Sequence, residues 1–200
     1  MQLRASAILV ASRAHGESAA IARMFTEQYG LVAGYVAGGR GRRLRPVMIP
    51  GNSVEVELRA KSDSQLPFAR LELAESRGPW MTEPLPAAAI TWVCALTASV
   101  LPERNAYPNL YQALQALLTA VCHAPSARGW LSALITYEAM LLRELGYGGG
   151  KPDLEGDLEA QLAQFHALEA PIARYLLAER DRDVMAARTL LGDRLARIIK

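Results

Sequence analysis

The chain has 200 residues, 51% of them apolar, with 22 Lys and Arg against 20 Asp and Glu for a net charge of +2. That is enough apolar chain for one or two domains with sizeable buried cores, and it excludes a disordered polyelectrolyte. The positive charge sits at the front: residues 1–80 carry 11 basic and 7 acidic side chains, whereas residues 81–200 carry 11 and 13.

The first residues lack the basic start, long apolar centre and small-residue cleavage site of a signal peptide. The run bracketed by Arg4 and Arg13 is too short to span a bilayer, so the expectation is a soluble, cytoplasmic protein with no membrane partner. β-like runs then alternate with turn signals at short spacing and predict strands over 3–12, 18–25, 31–37, 53–60 and 69–75. The turn signals are Ala14-His15-Gly16-Glu17, Gln28-Tyr29-Gly30, Pro50-Gly51-Asn52 and Lys61-Ser62-Asp63-Ser64. In Val54-Glu55-Val56-Glu57-Leu58-Arg59 apolar and charged residues alternate with period two, as a strand with one face on a core requires. Five short strands in under 80 residues point to a five-stranded OB-fold β-barrel.

A Pro-rich stretch over 79–86 ends this texture, and helical periodicity follows. Helices are predicted over 87–101, 109–123, 129–145, 154–168, 171–178 and 181–199, with Asn109 as an N-cap and Gly146 to Gly150 as a helix stop. The expected fold class is therefore α+β: a barrel over 1–78, a connector over 79–86 and an all-α domain over 87–200. Cys94 and Cys122 lie in apolar helical stretches, where a free thiol acts as a small hydrophobe, so no disulfide scaffold is expected.

Between the third and fourth strands, Gly38-Gly39-Arg40-Gly41-Arg42-Arg43-Leu44-Arg45-Pro46 places four arginines in six positions, and no acidic residue occurs between Glu27 and Glu55. Such a segment is too Gly-rich for a stable helix and too charged for a core, so it should be an exposed, flexible loop. Guanidinium forks match phosphate oxygens through paired charge-assisted hydrogen bonds. Four contacts to a single strand would give log K against log salt a slope of about −2.8. A solvated basic turn is the alternative, and position on an OB-like barrel favours nucleic acid. Tyr35, on the strand just before the loop, either stacks a base or packs in the barrel. With aromatic residues at 6% of the chain, a long stacking platform is not available.

No catalytic constellation appears. His15 in a turn, His123 near a helix end and His166 in mid-helix have no Cys or paired carboxylate at ligand spacing, and each reads as structural or solvated. There is no phosphate-cradling glycine motif with its Lys-Ser or Lys-Thr and no serine elbow. The expectation is a protein that is not an enzyme and holds no cofactor and no metal.

On these residues the chain resembles the RecO family of recombination mediators. The matching pieces are Gly16-Glu17-Ser18, Phe25-Thr26 with Tyr29-Gly30-Leu31-Val32, Gly34-Tyr35-Val36 leading into the arginine cluster, and Pro50-Gly51-Asn52. In the second half they are Leu110-Tyr111 and the run from Tyr137-Glu138 to Leu145-Gly146-Tyr147-Gly148. The resemblance implies an N-terminal OB-fold, a helical C-terminal domain, binding of single- and double-stranded DNA, and annealing of complementary strands. It further implies action with RecR so that RecA displaces single-strand-binding protein (SSB). It makes Arg40, Arg42, Arg43 and Arg45 the DNA-contacting candidates, with Tyr35 beside them. For the acidic, apolar SSB tail it leaves Arg128 beside Trp130 as partner-binding candidates. Many relatives carry a four-cysteine zinc site after the stretch equivalent to 145–148. Here Gly149-Gly150-Lys151-Pro152 runs directly into Leu154 with no cysteine after Cys122, so that site cannot be built. The rival expectation is a protein-interaction adaptor whose helical domain, with Trp130, docks peptide tails.

Overall fold

The structure is a computed structural model and describes residues 2–62, 65–148, 150–177 and 182–199. Asp63 and Ser64 of one expected turn, Gly149 of the glycine run, and the expected helix ends at Ala178 and Asp181 lie outside the described residues. Two compact units are present, one of Met1–Thr82 with Leu101–Tyr111, the other of Glu83–Val100 with Gln112–Lys200.

The first unit is a closed five-stranded barrel in the order β1-β2-β3-β5-β4, with β1 Gln2–His15, β2 Ala19–Thr26, β3 Gly30–Val36, β4 Ser53–Arg59 and β5 Phe68–Glu75. This is the expected OB-type barrel. One long strand makes closure possible: β1 pairs with β4 through Gln2 to Ile8 and with β2 through Ala7 to His15, its register shifting between Leu9 and Ala11. Such a bulge bends a strand and re-aims the side chains beyond it. The barrel interior takes every second residue, including Leu9, Met24, Val32, Val36, Val56, Leu58 and Leu71. Gly34 is inward too, and a Cβ there would come within 2.6 Å of the Ala69 Cβ. β3 and β5 are the parallel pair and share one register match, Tyr35 with Phe68.

After a 3₁₀ turn at Gly78–Thr82, α1 (Pro84–Val100) starts inside the stretch expected as a connector, because proline suits the first helical turn, where its missing N–H is no loss. The segment Leu101–Tyr111 groups with the barrel rather than with the helices that flank it. There the Arg104 amide donates to the Leu31 carbonyl at 2.9 Å, and Gly30, at φ +66°, lies so close to Asn105 that a Cβ would overlap its backbone oxygen.

The second unit holds α2 (Pro108–His123, from Gln112 onward), α3 (Leu131–Glu144), α4 (Leu158–Ala167), α5 (Glu169–Pro171) continuing as π-helical Ile172–Leu177, and α6 (Arg182–Ile199). α4 begins later than expected because Asp157 caps it, accepting from the Ala160 amide at 3.0 Å. At the centre a fully buried Glu138 receives Arg188 at 2.8 Å and the Trp92 indole N–H at 2.7 Å, which ties α3, α6 and α1 together. The Arg188 guanidinium also lies 3.8 Å from the Phe165 ring centroid. Burial pushes the Glu138 carboxyl upward, with Arg188 and Trp92 pulling against it. Cys94 and Cys122 are both buried thiols, not joined in a disulfide. Among the described residues no group of three or more His, Cys, Asp or Glu is placed to hold a metal, and no helix is long and apolar enough to cross a membrane.

Candidate nucleic-acid interface

The arginine segment between β3 and β4 is not the flexible loop its composition suggested. Two helix-like turns form, with the Arg45 amide donating to Gly41 at 2.9 Å and the Met48 amide to Leu44 at 3.0 Å. Leu44, Val47 and Met48 recur at helical spacing and pack on the barrel core, Val47 and Met48 being 8% exposed. That stripe holds the backbone down while Arg42, Arg43 and Arg45 face solvent. A single buried side chain secures the far shoulder. The Asn52 amide donates to the Pro46 and Val47 carbonyls at 2.8 and 3.1 Å, and its oxygen accepts from the Arg77 amide at 2.7 Å.

The four arginines are not equivalent. Arg40 is exposed, yet its Nη1 donates to the Gly16 and Glu17 carbonyls and its amide to Ser18, so it clamps the arginine turns to the β1–β2 hairpin. Arg42, Arg43 and Arg45 make no side-chain hydrogen bond or ion pair among the described residues. Three unsatisfied, solvated guanidinium groups on an ordered turn can meet an anion without first breaking an internal pair.

Tyr35 faces outward, half-buried, rather than into the core. Its ring meets His15 at 5.8 Å and Phe68 at 5.2 Å, both nearly edge-on. His15 is the last residue of β1, not part of a free turn, and it stands on this face beyond the β1 bulge. Neither His15 nor Phe68 was singled out as a binding residue from sequence. Phe68 follows Pro67 after a polar stretch, an exposed-aromatic signal that takes meaning only from its pairing with Tyr35. Beside these rings a groove of about 510 Å³ is lined by Arg13, Ile21, Arg23, Ala33 and Glu103, with Arg23 and Glu103 3.5 Å apart.

The β4–β5 side of the barrel is also charged, but it is self-neutralised. Glu57 takes Arg59 at 2.6 Å and Arg4 at 3.2 Å, and Arg70 meets Glu72 at 3.3 Å. The Arg59 hydrogen bond, with Arg4 adding to it, holds the Glu57 carboxyl below the usual range. Little net positive charge is left there for a polyanion.

In the helical unit the proposed pairing of Arg128 with Trp130 is corrected. Arg128 is exposed, but Trp130 is 2% exposed, packed in the core at the N-terminus of α3, and presents no surface to a peptide. The adaptor reading loses Trp130 as a docking surface.

Residues 1–77 match the family model described as Recombination protein O N terminal, and residues 82–156 match Recombination protein O C terminal. DNA repair protein RecO of Caulobacter vibrioides (strain NA1000 / CB15N) is 39% identical over 149 residues, covering 74% of this chain and 60% of that protein. The proteins of the same name from Phenylobacterium zucineum and Rhodospirillum centenum are 36% and 38% identical over 149 residues, covering 74% of this chain and 60% and 58% of their own lengths. The chain thus spans about 60% of the length of these curated relatives. With both family models matched in order on a barrel followed by helices, the chain belongs to the RecO family of DNA repair and recombination proteins.

Proposed function

We propose that this chain is a non-enzymatic recombination mediator that binds single- and double-stranded DNA, anneals complementary strands and, with RecR, helps RecA load onto DNA coated by SSB. The observation that carries the DNA-binding part is the set of three exposed, unpaired arginines, Arg42, Arg43 and Arg45, on a turn pinned to an OB-type barrel. Arg40 positions that turn, and Tyr35 stands next to it. Phosphate contacts of this kind position a strand without reading its sequence. Annealing needs no bond chemistry: the arginines screen repulsion between two strands and leave base edges free to pair. RecR, RecA and the SSB tail enter through the family. Arg128 stays as the exposed cation for the SSB tail, in a helical domain that needs neither cofactor nor metal for this role. Action on DNA makes the cytoplasm the site of work.

Anisotropy of a labelled single strand, titrated with the full chain at several salt concentrations, tests the interface. Contacts from Arg42, Arg43 and Arg45 give a slope near −2.1 at ~0.7 per phosphate. The double variant Arg42→Ala with Arg43→Ala weakens binding to all sequences and flattens the slope by about 1.4. An unchanged affinity and slope would remove the arginine turn from the interface.

A further inference from the structure

Phe68 opens β5 and is 65% exposed, an unusual position for a phenyl ring in a well-packed barrel. It belongs to a continuous row. Strand registers align Arg13 of β1 with Ile21 of β2, Ile21 with Tyr35 of β3, and Tyr35 with Phe68. All four side chains point away from the barrel interior. His15, on the outward side of β1 two residues beyond Arg13, closes on Tyr35, so three rings from three strands form one patch with spacings of 5.8 and 5.2 Å.

Cations flank this patch. Arg13 is exposed at one end of the row and has no side-chain partner among the described residues. The β1–β2 hairpin that follows His15 is where Arg40 clamps the arginine turns, through Gly16, Glu17 and Ser18. The acid lining the adjoining groove, Glu103, is paired with Arg23. Rings edged by free guanidinium groups match a strand that offers flat π faces and phosphates together.

We propose that Phe68, Tyr35 and His15 form a short stacking platform for unpaired bases, which makes single-stranded DNA with open base faces the preferred ligand of this barrel. The inference rests on the DNA-binding reading above and adds strand class to it. In a duplex each base face is covered by its neighbours, so the rings have nothing to stack on, whereas the arginines meet phosphates in either form. Every base has a π face, so the preference is for unpairing and not for sequence.

Oligothymidine, an abasic strand of the same length and a duplex separate the two contributions. The wild-type chain is expected to bind oligothymidine about 5- to 100-fold more tightly than the abasic strand. Phe68→Ala, at a largely exposed position that should leave thermal unfolding unchanged, removes most of that difference and leaves abasic and duplex binding as they were. Phe68→Trp retains the preference, and its added indole fluorescence is quenched by oligothymidine but not by duplex. Retention of the full preference in Phe68→Ala, an equal loss on all three ligands, or no quenching in Phe68→Trp overturns the platform. Failure of the wild-type chain to bind any of the three overturns the DNA-binding reading itself.

Discussion

Asn52 illustrates how one side chain positions a charged surface. Its amide is fully buried and makes three hydrogen bonds, two to the carbonyls that end the arginine turns and one to the backbone just beyond β5. Asn52→Ala leaves those backbone groups unsatisfied and is expected to lower stability by on the order of 1–3 kcal/mol in denaturant unfolding. It should also reduce the salt slope of DNA binding, because the arginines lose their fixed geometry; full stability and an unchanged slope would contradict this role. The arginine cluster was legible in the sequence from composition alone. Phe68 and His15 were not, because their meaning depends on the parallel β3–β5 register and on the β1 bulge, and neither leaves a local pattern. The low aromatic content argued against a long platform, but three rings brought together from separate strands escape a count of residue types.

Among the elements, the arginine turns show a competition between two local rules. Gly38, Gly39 and Gly41 argue for an irregular loop, yet the apolar spacing of Leu44, Val47 and Met48 gives helix-like turns a face to bury, and burial prevails. The strands were readable because inward and outward residues alternate with period two, most plainly in β4. Helix starts were less so, since Pro84 and the Asp157 cap fix them by single residues. In the helical unit, Arg188 and Glu138 are 1% and 0% exposed at their side chains, so neither charge can be removed alone without stranding the other. Arg188→Met is expected to cost roughly 3–5 kcal/mol, measured by chemical denaturation. The double variant with Glu138→Gln should recover part of that loss; additive losses would show that the two residues act independently.

For the whole molecule, the front-loaded positive charge maps onto the barrel, and its unpaired portion among the described residues includes Arg42, Arg43 and Arg45 on the arginine turns and Arg13 on β1, while the β4–β5 charges largely neutralise one another. The barrel-then-helices order was legible from the change of hydrophobic period near residue 80. That Leu101–Tyr111 groups with the barrel was not, because the contact depends on a close approach at Gly30 that a linear pattern does not encode. The helical unit has an apolar core around a buried ion pair, with no cysteine after Cys122. The central claim, that this chain promotes pairing of DNA strands through its barrel, is tested most directly by the annealing rate of two complementary labelled strands. The account predicts that the full chain accelerates annealing and that Arg42→Ala with Arg43→Ala abolishes most of the acceleration. An annealing rate unaffected by the wild-type chain, or equally accelerated by the double variant, would contradict it.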